Sequence, residues 1–194
     1  MEALGAEVIL TSKEGGSDEA WAKADELAEK YPEKYCRLSQ YRHPANVQTH
    51  YEHTAQEIWA DTEGKVDVVV GTLGTTGTIV GVSRRLKELK PKIRVVAVEP
   101  QPGKHKQQGI RNITTSRVPD IWDERAVDAR VVVADSDAFR MARELARQEG
   151  LFGGISSGTA MHAAVLEARR LPAGVIVVIL PDSGYKYLST ELFQ

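Results

Sequence analysis

Val66-Asp67-Val68-Val69-Val70 restricts this chain more than any other segment, because it is apolar and β-branched at every position but one. A strand with no polar face has to be covered on both sides, which is the condition of a parallel sheet flanked by helices. The neighbouring sequence supplies the helices. Trp21, Ala24, Leu27 and Ala28 recur at helical spacing from Ser17, a candidate N-cap, to about Lys30. From Pro44 the same period runs through Val47, Tyr51, Ile58 and Trp59 until Gly64. A glycine-threonine loop, Gly71 to Thr78, leads into a helix ending near Leu89. Strands at Arg94 to Val98, Arg130 to Val133 and Val175 to Leu180 alternate with helices at Ser136 to Glu149 and Ser157 to Leu171. The alternation predicts an α/β fold, a three-layer sandwich with a mostly parallel sheet. Between Gln101 and about Asp128 no period survives, and loops of that length in a compact domain are functional or disordered.

At the start of the chain, Glu2-Ala3-Leu4-Gly5 reads as the last turn of a helix closed by Gly5, followed by a strand from Glu7 to Thr11. Domains seldom begin at a cap, so Met1 is expected to lie inside a longer ancestral chain. A length of 194 residues suits one domain, or one domain with a fragment of another. The formal net charge of −2 offers no field to attract nucleic-acid phosphates or an anionic membrane. Cys36 is the single cysteine, which excludes an internal disulfide. The longest apolar run, Val175 to Leu180, is too short to span a bilayer, and no signal sequence is legible, so a cytoplasmic location is expected.

Ligands of open α/β sheets bind beyond the carboxyl ends of the strands, which directs attention to three loops. Gly71-Thr72-Leu73-Gly74-Thr75-Thr76-Gly77-Thr78 joins a buried strand to a helix. Its glycines permit close approach of an anion, the helix amides point at it, and the threonines add donors. No lysine follows Gly77, so this is not a nucleotide P-loop, and no G-x-G pair supports a dinucleotide site. What remains is a cradle for one phosphate monoester, or simply a tight strand-to-helix turn. The second loop, Gly153-Gly154-Ile155-Ser156-Ser157-Gly158, places Ser156 or Ser157 as an N-cap. The third is Pro181-Asp182-Ser183-Gly184, which also reads as a turn.

Taken in order, Gly74-Thr75-Thr76-Gly77-Thr78, Gln108-Gly109-Ile110, Gly154-Ile155-Ser156-Ser157-Gly158 and Tyr187-Leu188-Ser189-Thr190 resemble the cysteine synthases. These are O-acetylserine sulfhydrylases of the tryptophan synthase β-like, fold-type-II pyridoxal-phosphate enzymes. Gln40-Tyr41, Pro44-Ala45-Asn46 and Glu57-Ile58-Trp59 match as well, and Ile110-Arg111-Asn112 looks more like the B-type enzymes. The resemblance covers nearly the whole chain. It implies that Gly74, Thr75, Thr76, Gly77 and Thr78 hold the phosphate of pyridoxal 5'-phosphate. Ser156 would face the pyridine nitrogen, and Asp182 and Ser183 would line the far edge of the ring. A neutral hydroxyl at Ser156 does not force the nitrogen to be protonated, which suits elimination and replacement at the β-carbon. Gln40 and Gly109 would lie beside the substrate, and Arg111 would read its anionic group. Residues 1–39 would be the remnant of a smaller N-terminal domain, and residues 40–194 the larger cofactor-binding domain. A homodimer is also implied.

The departures are equally specific. The family's Ser-x-Lys-Asp motif, whose lysine anchors the cofactor and removes the α-proton, is absent, as is its Ser-Gly-Asn-Thr-Gly substrate loop. Lys104, Lys106 and Lys186 lack that context, and no catalytic residue is assigned. Ala55-Gln56 stands where Gly-Pro is usual, and His43 where Asn is usual. His50, His53 and Glu57 share one helix side and read as a solvated face rather than a metal site. No Gly-x-Ser-x-Gly elbow supports a serine hydrolase. Two functions therefore stand side by side. One is β-replacement on O-acetylserine or O-phosphoserine with a sulfur donor, incomplete in this chain. The other is a non-catalytic module that binds a phosphorylated ligand or a partner subunit. Threonine deaminase and cystathionine β-synthase are related alternatives within the enzyme class.

Overall fold

In the computed structural model, which describes residues 1–194, the apolar run forms β1 (Val66–Thr72) and lies between two other strands. The chain divides into two units, Met1–Ser39 and Gln40–Gln194. The second contains α2 (Ala45–Thr49), a π-helical turn (His50–Thr54), α3 (Ala55–Asp61), β1, α4 (Gly77–Leu89), β2 (Arg94–Pro100), β3 (Ala129–Val133), α5 (Asp135–Gln148), α6 (Ile155–Ala168) and β4 (Val175–Val178). The four strands run parallel in the order β3-β2-β1-β4. Val70 stands opposite Val96 of β2 and Val178 of β4.

Alternation of side chains sends the two faces of the sheet into separate cores. Val69, Val95 and Ala97 pack with Val47, Ile58, Ile79, Val80 and Leu86 from α2, α3 and α4. Val68, Val70, Val96 and Val98 pack with Ala138, Ala142, Ile155 and Ala163 from α5 and α6. These strand valines are buried on both faces, and each contributes roughly 1.5–3 kcal/mol by leaving water. Asp67, the polar exception, marks a register shift between Val66 and Val68. Its carboxylate accepts the Val175 backbone N–H at 2.9 Å and the Lys90 ammonium at 2.8 Å, so the side chain serves a donor that the ladder misses.

Four expectations change. Helix α6 begins at Ile155 with Gly154 as N-cap, and neither Ser156 nor Ser157 caps it through its own side chain. The Asp182 carboxylate does so instead, accepting the Ser156 N–H at 3.1 Å and the Ser157 N–H at 2.9 Å. An ionised carboxylate at a helix N-terminus is a stronger acceptor than a serine hydroxyl. The helix from Pro44 contains a π turn at His50 to Thr54, which period alone does not reveal. Within the first unit, α1 (Gly16–Lys30) starts before Ser17, whose side chain makes no cap; Ser12 accepts the Gly15 N–H and pairs with Glu19. Finally, Glu7 to Thr11 forms no strand. Its pattern is suitable, but a strand needs a neighbour to take up its backbone groups, and here it pairs with none. Gly5 does take the expected left-handed conformation, at φ 79°.

Gly81 lets α4 approach the π turn. A Cβ at position 81 would lie 2.8 Å from the His50 Cβ and closer still to the Val47 carbonyl oxygen. Helix propensity alone favours alanine by about 1 kcal/mol, whereas the overlap costs about 1–3 kcal/mol. Gly81→Ala is therefore expected to lower the urea midpoint at an unchanged denaturant slope; a raised midpoint would show that the helices separate without cost.

Candidate functional site

Parallel strands place all their carboxyl ends on one edge of the sheet. The loops after β1, β2 and β4 meet there around a cavity of about 280 Å³, lined by Thr72, Gly74, Thr75, Thr76, Thr78, Gln108, Gly109, Ile110, Ser156, Pro181, Asp182, Lys186 and Tyr187. A larger depression of about 540 Å³ lies between α5 and α6, with Met141, Leu145, Met161 and Val165 in its walls. It is away from the strand ends, so size alone does not mark the site.

Each wall has a local cause. The Leu73 N–H donates to the Val98 carbonyl at 2.9 Å, and the Leu73 carbonyl accepts from the Arg111 N–H at 2.7 Å. The loop after β1 is thereby tied to the loop after β2. The buried Gln107 amide anchors the latter from behind: it donates to the Val133 carbonyl and to Asp135, each at 2.9 Å, and accepts from the Thr159 hydroxyl at 2.8 Å. Asn46 braces the first loop, donating to the Gln40 carbonyl at 2.7 Å and to the Thr75 hydroxyl at 3.1 Å. A Cβ at position 77 would collide with the Asn46 amide, which is the steric reason for glycine at the first position of α4.

Two features of the loop suit an anion. Thr76 precedes α4 in the left-handed region at φ 74°, and its hydroxyl is buried with no hydrogen-bond partner in the protein. The first turn of α4, which carries free backbone donors and a partial positive charge, follows it directly. A ligand oxygen in the cavity would satisfy this hydroxyl and those amides together. The residues present therefore fit a phosphate group.

Across the cavity, Asp182 links the third loop to α6. Besides the two amides it accepts the Ser157 hydroxyl at 2.6 Å and the Tyr187 hydroxyl at 2.9 Å. Burial opposes its ionisation, but the donors from Ser157, Ser156 and Tyr187 outweigh burial and hold the carboxyl below the usual aspartate value. Burial, and then the neighbouring carboxylate, push the Tyr187 phenol well above its ordinary value. Asp182 is thus a charged cap that keeps Ser156 in the cavity wall.

Of the residues singled out in the sequence, Gly74, Thr75, Thr76, Thr78, Gly109, Ser156 and Asp182 line this one cavity. Gly77 lies behind it, under Asn46. Ser183 is outside the lining: it bridges to Gly153, and its hydroxyl accepts the Tyr185 N–H. The Gln40 carbonyl serves Asn46. Arg111 is buried away from the cavity, donating to the Arg117 carbonyl at 2.7 Å and lying 4.7 Å from the Tyr41 ring. His50 differs most from its reading as a solvated face. It is half-buried, with Nδ1 2.9 Å from the Thr54 hydroxyl and Nε2 3.0 Å from the Thr78 hydroxyl. Tyr187, Lys186 and Gln108 are wall residues with no role assigned from sequence, although two of them lie within the motifs quoted above.

Because its folded pKa is depressed, Asp182 contributes stability that is complete above the ordinary aspartate pKa of about 3.9 and disappears as pH falls through the lower folded value. Asp182→Asn is expected to be less stable than wild type near neutral pH, with the gap narrowing in acid. Urea midpoints measured across that range check it; a gap independent of pH would mean that the charge does no capping.

The sequence matches the family described as pyridoxal-phosphate dependent enzyme over residues 1–182. It is 43% identical over 198 residues to a cysteine synthase of Aquifex aeolicus (strain VF5), covering 100% of this chain and 61% of that protein. It is 41% identical over 212 residues to cysteine synthase A of Escherichia coli (strain K12), covering 100% and 65%. Among solved structures, O-acetyl serine sulfhydrylase isoform 3 from Entamoeba histolytica superposes with a TM-score of 0.89 at 39% identity, covering 99% of this chain and 59% of that one. The chain thus spans about three fifths to two thirds of the length of these proteins, and by the match over residues 1–182 it belongs to the pyridoxal-phosphate dependent enzyme family.

Proposed function

We propose that this chain is the cofactor-binding portion of a cysteine synthase, with residues 40–194 forming the larger domain and residues 1–39 a part of the smaller one. The whole protein would make cysteine by replacing the β-substituent of O-acetylserine or O-phosphoserine with sulfur. The observation that carries this reading is the buried, unpartnered Thr76 hydroxyl at the entrance to α4, in a cavity whose wall also holds Ser156. Gly74, Thr75, Thr76, Gly77 and Thr78 would receive the phosphate of pyridoxal 5'-phosphate. Ser156 would meet the ring nitrogen with a neutral hydroxyl. Asp182 would stay ionised but spent on the α6 amides and Tyr187, so it would not compete with Ser156 for the nitrogen. Gly109 would bring backbone to the substrate side. When bound, the cofactor supplies an electron sink for a carbanion beside its ring.

The relatives are cysteine synthases and the structural neighbour is an O-acetyl serine sulfhydrylase, which supports the choice of substrate class. No helix is long and apolar enough to cross a membrane, and we place the protein in the cytoplasm, as a homodimer, on the family's pattern.

With phosphate and ring-nitrogen contacts but no anchoring lysine of the family motif, the 194-residue chain is expected to bind pyridoxal phosphate weakly, without the visible absorption band of a lysine-linked cofactor. Titration followed by absorbance and by equilibrium dialysis checks this. A strong band abolished by changing Lys104, Lys106 or Lys186 would overturn the assignment. Offering O-acetylserine or O-phosphoserine with sulfide to a polypeptide that adds the lysine-bearing segment separates the two donors; turnover of neither would favour a non-catalytic binding module.

A further inference from the structure

His50 is held at both ring nitrogens by hydroxyl groups, and one of these belongs to the cavity. Nδ1 meets Thr54 at 2.9 Å and Nε2 meets Thr78 at 3.0 Å, while Thr78 lies in the cavity wall at the second position of α4. The histidine reaches α4 because Gly81 leaves room for its Cβ, and because it opens a π turn, a distortion found frequently at functional sites. Burial keeps the imidazole pKa below its ordinary value, so at neutral pH the ring carries one proton.

Thr54, His50 and Thr78 then share three protons along one line, and the line can point either way. If Thr54 donates to Nδ1, Nε2–H donates to Thr78, and the Thr78 hydroxyl proton is free to enter the cavity. If Thr78 donates to Nε2, Nδ1–H donates to Thr54, and Thr78 shows the cavity only lone pairs. A phosphate oxygen is attracted by the first arrangement and repelled by the second. Hydrogen bonds in such a line polarise one another, so its members reverse together.

We propose that His50 is a positioning residue that selects anionic ligands: its Nε2–H tautomer turns the Thr78 hydroxyl into a donor toward a bound phosphate. The line keeps three protons in both arrangements: the ring gives its Nδ1 proton to solvent and takes one back on Nε2, and the two hydrogen bonds to Thr54 and Thr78 reverse direction. The inference rests on the phosphate-cradle reading of the cavity, but it concerns a residue outside the cavity wall.

The test uses the 194-residue chain, pyridoxal phosphate, and pyridoxal as the same ring without its phosphate. Nitrogen-15 NMR of the imidazole is expected to show Nε2 protonated and Nδ1 bare once pyridoxal phosphate is bound. His50→Phe keeps a ring but removes the donor, and should weaken pyridoxal phosphate binding roughly tenfold to a hundredfold while leaving pyridoxal unchanged. His50→Gln, which can offer an amide N–H near Nε2, should recover most of the loss. A merely structural role would weaken both ligands alike and would not be rescued. If wild type prefers pyridoxal phosphate to pyridoxal but His50 carries its proton on Nδ1 or on both nitrogens in the complex, the inference falls and the cradle reading stands. The same holds if His50→Phe binds as wild type. If wild type does not distinguish the two ligands, both fall.

Discussion

The parallel alignment of β1 between β2 and β4 is the constraint from which the site follows. Because the strands are parallel and Val70 stands level with Val96 and Val178, their carboxyl ends open on one edge and their loops are delivered to one place. No side chain of the cavity had to be brought there individually. The cost is that β1 has no solvent face, which is why four of its first five residues are valine. Asp67 is tolerated because the Val175 amide and the Lys90 ammonium occupy its oxygens.

On that edge, polar groups are matched across long stretches of chain. Asp182 caps α6 and binds Tyr187; Asn46 links Gln40 to Thr75; Gln107 ties the loop after β2 to Val133, Asp135 and Thr159. Each is a small network that is satisfied within the protein, and together they hold the loops without closing the cavity. That division of labour is what a preorganised site requires: rigid groups behind, unspent donors in front.

Legibility followed the range of the interaction. Strands β1, β2 and β4 and helix α5 could be read from composition and period, because burial on a sheet face leaves its mark residue by residue. The glycine-threonine loop was legible as a strand-to-helix turn at the cavity, and its proposed role as an anion cradle rests on chemistry contained in consecutive positions. The α6 cap was not, because the acceptor is an aspartate from another loop, and the local serines offered a plausible answer. Glu7 to Thr11 failed as a strand for the same reason in reverse, since its pattern is local but its partner is not. His50 was hidden by the π turn, which shifts a helix side that regular spacing assigns to solvent.

Thr76 shows how an unfavourable residue can be informative. A non-glycine residue in the left-handed region costs roughly 1–2 kcal/mol, and burying its hydroxyl unpaired costs about 1–3 kcal/mol more. Glycine at this position would remove both costs, and the same loop already uses glycine at 71, 74 and 77. Thr76 therefore breaks two local rules at once, which is the pattern expected where function rather than folding selects the residue. On the proposed reading the unspent hydroxyl gains its partner when a ligand oxygen enters the cavity, and the same residue stands at the start of α4. Strain, missing hydrogen bond and helix entrance thus meet at one residue, and the proposed ligand oxygen between residues 74 and 78 would account for all three.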